Sequence, residues 1–140
     1  METVNIKIDG IPVTVKAGTT ILDAAKKAGV KIPTLCAHPD LEPWGACGIC
    51  VCKTQDARGI SPRLVRACTT KVTEGFNYNT RDKEIQSIRK TVVNLILSNH
   101  PQECLTCGRN QQCELQRLAE EFSIRDIAFE QNVKRVPKDN

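Results

Sequence analysis

Aromatic residues and histidine are scarce: three Phe, one Trp, one Tyr and two His stand among 140 residues. A core with so few rings is marginal at this size, so bound metal would help hold it together. No apolar run approaches the length needed to cross a bilayer, and no membrane segment is expected. The opening METVNIKIDGIPVTV lacks the basic flank, continuous apolar stretch and small-residue cleavage site of a secretory leader. No G-x-G-x-x-G, P-loop or nucleophile–base pair is readable either. The formal charge is +4, but no basic stripe alternates with aromatics, and nucleic-acid binding is not expected.

Cysteine is what the chain has in quantity, at eight residues. Without a leader the chain reads as cytoplasmic, where grouped cysteines more often mean metal than disulfides. The length suits one ordinary domain or two very small ones.

Val4, Ile6 and Ile8 alternate, Asp9-Gly10 follows, and Val13 and Val15 resume the alternation, which predicts a hairpin. Pro12 suits an edge strand. Thr20 and Asp23 supply a helix start, Ile21, Leu22, Ala24, Ala25 and Ala28 its buried face, and Gly29 its end. CAHPDLEPWGACGIC then reads as loop, followed by short strands over 49–54 and 65–69. Ile85, Ile88, Val92, Leu95 and Ile96 predict an amphipathic helix whose Lys and Arg residues over 81–90 face solvent, ending at Asn99-His100-Pro101. A short helix is expected over 113–121. The change from β-like to helical text near residues 77–80 marks two modules, with five cysteines in the first and three in the second.

In the first module Cys36, Cys47, Cys50 and Cys68 form C-x10-C-x2-C-x17-C. A C-x2-C pair in a glycine-bearing loop lets two sulfurs converge where backbone amides can donate to them. Structural zinc more often uses two close pairs. A lone loop cysteine, a C-x2-C pair and a remote fourth ligand follow the plant-type ferredoxin pattern. Cys52 would share a strand face with Cys50 and reads as a small buried hydrophobe. His38 reads as an exposed loop residue. In the second module His100, Cys104, Cys107 and Cys113 form H-x3-C-x2-C-x5-C, a set that by itself fits zinc as well as an iron–sulfur cluster.

VNIKIDGIPVTVKAGTTILDAAKKAGVKIPTLC followed by GACGICVC resembles the N-terminal 2Fe–2S domain of iron-only hydrogenases and of the complex I large iron–sulfur subunit. NHPQECLTCGRNQQCELQRLA resembles the next module of the same family. The resemblance implies an α+β chain: a β-grasp, plant-type ferredoxin-like domain over 1–79, then a small helical domain over 80–122. Residues 123–140, with Ile124, Ile127 and Phe129, would be a partner-docking extension. It implies one 2Fe–2S cluster on Cys36, Cys47, Cys50 and Cys68; Trp44 itself reads as an aromatic covering that loop against water. It also implies one 4Fe–4S cluster on His100, Cys104, Cys107 and Cys113. Thiolate-bound clusters would bring the net charge to roughly +1.

Longer relatives continue into C-x2-C-x2-C-x3-C-P repeats and a catalytic domain, and neither motif is present. The expectation is therefore an electron-transfer subunit without a reaction site of its own. It would relay electrons between an FMN-containing, NAD(P)H-oxidising iron–sulfur subunit and further redox subunits, with ferredoxin served through the complex. An electron-bifurcating transhydrogenase fits best. The alternatives are a small subunit of a bifurcating hydrogenase or formate dehydrogenase, and a non-redox zinc module.

Overall fold

In the computed structural model, which describes residues 2–59 and 62–130, the chain divides after Arg89 into two compact units. The first holds a five-stranded mixed sheet, making the chain α+β as expected.

Strand β1 (Thr3–Ile8) pairs antiparallel with β2 (Ile11–Lys16). Both residues of the Asp9-Gly10 turn have positive φ, as a two-residue turn matching strand twist requires. Pro12 lies on β2, an edge of the sheet, where its missing N–H costs no central ladder bond. Asp9 does more than turn the chain: its carboxylate accepts from the Thr80 N–H and hydroxyl.

Helix α1 (Ile21–Lys27) starts at Thr20, whose hydroxyl accepts from the Asp23 N–H at 3.2 Å. It ends with Gly29 at φ +76°, while Gly29 and Val30 donate to the Lys26 and Ala25 carbonyls. That pattern closes a helix by satisfying its last carbonyls. Ile21, Leu22, Ala24 and Ala25 pack with Ile6, Ile8 and Val15 in one core.

The next two strands are β3 (Val51–Gln55) and β4 (Arg63–Arg66), antiparallel to each other. Both lie near, but not on, the spans expected at 49–54 and 65–69. β4 stops early because Thr69 and Thr70 both fold back onto the Arg66 carbonyl. Strand β5 (Asn77–Asn79) was not expected, yet it sits between β1 and β3 in the order β2-β1-β5-β3-β4. It runs parallel to β1 and antiparallel to β3. Two of its three residues are asparagine, so pairing on both sides rather than intrinsic propensity makes it a strand. Tyr78 anchors it, buried, with its hydroxyl accepting from the Thr73 N–H.

Helix α2 (Lys83–Ser98) begins at Asp82, which accepts from the Ile85 N–H at 2.8 Å and pairs with Lys53. Its buried residues correct the expected face. Ile85, Arg89 and Val93, spaced by four, are buried, whereas Leu95 is 47% exposed. Arg89, expected in solvent, is only 3% exposed. Its guanidinium donates to the Ile49 carbonyl at 3.1 Å and the Val51 carbonyl at 2.9 Å. A buried guanidinium is tolerable only when its donors are used in this way.

The second unit contains a 3-10 turn (Cys104–Thr106) and helix α3 (Glu114–Glu121). Leu115 and Leu118 are its buried α3 residues, and Arg117 pairs with Glu114 and Glu121 on the outer face. The Asn94 side chain accepts from the Ala128 N–H, tying the following segment to the helix. Among the described residues no helix is long and apolar enough to cross a membrane. The last ten residues of the expected docking extension lie outside the described residues.

Candidate metal centres

The first cysteine group is assembled by one loop and one strand pair. Because β3 and β4 pair Val51 with Arg66, the next step along the ladder sets Cys50 against Ala67, whose N–H donates to the Cys50 carbonyl at 3.1 Å. Cys68 follows immediately. Sheet register thus returns the remote fourth cysteine to the third. Cys50 and Cys68 are buried, while Cys36 and Cys47 are half-buried.

The loop supplies amides. The Cys47 N–H contributes most to holding the Cys36 thiol below its ordinary pKa, against the opposing effect of burial. Gly45, at φ +67°, permits the loop's close approach: a Cβ there would stand 3.1 Å from Thr69 Cγ2 and 3.4 Å from Arg66 Cδ.

Cys68 experiences the opposite balance. Burial, a hydrogen bond with Cys50 and the charges of Cys50, Cys36 and Cys47 push its thiol up to about 12. As a thiolate, Cys68 would thus be opposed by the charges of the other three cysteines. A cationic iron core would relieve that repulsion, and amides already donate toward Cys36, so the donor set fits a thiolate-held cluster. Cys52 is fully buried among core residues, as its hydrophobe reading expected. Desolvation, with a smaller push from Cys50, raises its thiol to about 12.

Around this loop two other expectations separate. His38 is exposed, as expected, and its ring accepts from the Asp40 N–H. Trp44 is 79% exposed, which corrects the expectation that it covers the loop. The tight turn at Gly45 brings Arg66 and Thr69 against the loop instead.

In the second unit, His100, Cys104, Cys107 and Cys113 all line one cavity of about 620 Å³. Each is placed by a helix end or turn. The His100 N–H donates to the Leu97 carbonyl at 3.1 Å, and the Gln102 amide donates to the Leu97 and His100 carbonyls. Cys104 opens the 3-10 turn, which the Cys107 N–H closes at 3.1 Å. Cys113 immediately precedes α3. Three sulfurs and one imidazole around a common space can hold a cluster whose ligands come from several directions. Among the described residues of either unit, no three His, Cys, Asp or Glu side chains are gathered closely enough to hold a metal ion.

Residues 1–83 match the family described as the 2Fe–2S iron–sulfur cluster binding domain. The chain belongs to that family. Residues 89–128 match the iron–sulfur binding region of NADH-ubiquinone oxidoreductase-G. This 2Fe–2S family member is 38% identical over 136 residues to the NADP-reducing hydrogenase subunit HndD of Solidesulfovibrio fructosivorans, covering 93% of this chain and 22% of that protein. It is 39% identical over 113 residues to the NADPH-Fe(3+) oxidoreductase subunit alpha of Geobacter sulfurreducens, covering 81% of this chain and 13% of the relative. A crystal structure of an NAD+-reducing NiFe-hydrogenase in its H2-reduced state superposes with a TM-score of 0.82 at 25% identity, over 95% of this chain and 54% of that one. Iron–sulfur binding regions of the 2Fe–2S and 4Fe–4S types are thus both present.

Arg89, expected in solvent, is instead a buried residue beside the first cysteine group. The signal was its four-residue spacing from Ile85 and Val93, which puts a cation in line with apolar neighbours.

Proposed function

We propose that the chain is an electron relay holding one 2Fe–2S cluster on Cys36, Cys47, Cys50 and Cys68 and one 4Fe–4S cluster on His100, Cys104, Cys107 and Cys113. The observation that carries this reading is the placement of each four-residue set: in the first unit the sheet register returns Cys68 to Cys50 and the Gly45 turn packs the Cys47 loop against Arg66 and Thr69, and in the second all four residues line one cavity. The clusters would supply one-electron exchange, and the chain's own residues set ligation, burial and amide donation. His100 in place of a fourth thiolate leaves its centre one charge less negative, which favours electron acceptance.

The proposed domains are 1–79 and 80–122, with 123–140 as a docking extension. Exposed Leu41 and Trp44 beside the first site, and Leu105 at 93% exposure beside the second, are available for partners. The partners in this reading are an FMN-containing, NAD(P)H-oxidising iron–sulfur subunit and further redox subunits, with ferredoxin reached through the assembly. The nicotinamide linkage in the relatives' names supports that choice. The assembly to test first is an electron-bifurcating transhydrogenase, working in a reducing cytoplasm where the eight thiols persist.

Anaerobic purification with iron and sulfide assays, then low-temperature EPR after reduction, tests the ligation. About six irons per chain and two spectrally distinct signals are expected. Zinc in place of iron, with no signal on reduction, would refute the relay. Reduction of both signals by NAD(P)H only in the presence of a co-purified flavin subunit tests the partner.

A further inference from the structure

Arg89 holds the backbone on both sides of Cys50. Its Nε and Nη2 donate to the Ile49 and Val51 carbonyls, while the carbonyl between them, that of Cys50, accepts from Ala67. Three consecutive carbonyls are thereby fixed. A trans peptide aims its N–H opposite to its C=O, so the orientations of the Cys50 and Cys52 N–H groups are fixed as well. The same fork places the guanidinium in a nearly solvent-free position against the carbonyls that flank Cys50.

We propose that Arg89 is a positioning residue of the 2Fe–2S centre that raises its reduction potential, orienting the Cys50 backbone while its buried charge favours the electron-loaded state. The inference rests on Cys50 being a cluster ligand. Adding one electron makes the centre one charge more negative, and a nearby cation stabilises that state more strongly where the dielectric is low. Groups that hold a metal's ligand in place tune the metal's electronics without touching it. Arg66 is the natural contrast. Its side chain lies against Gly45 and Gly48 of the same loop, but Arg66 is exposed, where water and salt screen its charge.

The test is a redox titration followed by EPR on the full chain, comparing wild type with Arg89→Gln, Arg89→Lys and Arg66→Gln. Iron, sulfide and thermal melting are measured on each. At the potential that half-reduces the wild-type 2Fe–2S centre, Arg89→Gln is expected to lower the reduced-to-oxidised ratio at least tenfold. For a one-electron couple that is a midpoint lower by about 59 mV. Arg89→Lys, which keeps the charge and loses the fork, should shift it less, and Arg66→Gln less than Arg89→Gln. The 4Fe–4S midpoint should stay in place. Loading restored by lysine but not glutamine would also support a charge requirement. Equal midpoints in all loaded proteins overturn the proposal, as does an Arg66→Gln shift equal to that of Arg89→Gln. Loss of the centre from both Arg89 variants would make the residue one of the fold alone, and also overturns it. A wild-type chain without iron would refute the relay reading itself, and is thus distinguishable from each of these.

Discussion

The two sulfur-bearing regions are built by opposite strategies. In the first, Cys50 and Cys68 are buried on a sheet whose register brings them together, and a core of aliphatic residues stands behind them. In the second, the four residues come from a helix end, a 3-10 turn and the residue before α3, around a cavity, and none is buried. Hydrophobic packing can assemble the first site before metal arrives. The second has few buried contacts to hold its loops, so a bound cluster would serve as much of its core. The difference teaches that the same chemistry can be added to a finished fold or can finish the fold.

Paired ligand variants should give the largest effects. Cys50→Ala is expected to abolish the 2Fe–2S signal and leave the 4Fe–4S signal, and Cys107→Ala to do the reverse, read by EPR and iron content. Loss of both signals from either variant would mean that the regions do not assemble independently. Iron chelation sharpens the same contrast through hydrogen exchange. Amide protection should fall further in the 3-10 turn and α3 than in β1, β3 and β5, whereas a uniform fall would contradict the two strategies.

A gentler perturbation is His100→Ala, which should alter the 4Fe–4S spectrum and midpoint while sparing the 2Fe–2S centre. Next comes Arg89→Met, which leaves two buried carbonyls without their donor and should cost about 2–4 kcal/mol in urea unfolding of the first unit. An unchanged midpoint of unfolding would show that the carbonyls find other partners.

The smallest effect concerns acid. Lys53 chiefly, and then the Ile85 N–H, hold the Asp82 carboxyl below its usual pKa. The stability it contributes is fully present above the ordinary carboxylate value and is lost as pH falls through the lowered one. Asp82→Asn should flatten that acid dependence in the first unit; a steeper one would put the origin elsewhere.

Much of this was legible in the residues. Alternation and Asp-Gly foretold the β1–β2 hairpin, Thr20 and Gly29 bracketed α1, and cysteine spacing isolated both candidate sets. The hairpin and helix signals are local, each contained within a few positions of chain, and the cysteine sets stand out by residue type alone. What stayed hidden depends on partners distant in sequence. Strand β5 exists because β1 and β3 accept its backbone, and nothing in Asn77-Tyr78-Asn79 announces this. Arg89 looked solvated because a charge is ordinarily exposed, and donation to the Ile49 and Val51 carbonyls helps make its burial tolerable. Trp44 looked like a lid because aromatics usually pack, but the neighbouring turn brings other side chains to the loop.

The pairing of β3 with β4 has a last consequence. Seventeen residues separate Cys50 from Cys68 in the sequence, but the number is a property of the connecting loop. What brings the two sulfurs together is the rung on which each strand ends. Residues could be added or removed between Gln55 and Arg63 at the modest cost of loop closure, leaving the rungs as they are. Sliding one strand by a single residue would change nothing in that count, yet it would turn every side chain of the strand to the opposite face. Counting residues between cysteines measures the rope; the ladder sets where the knots meet.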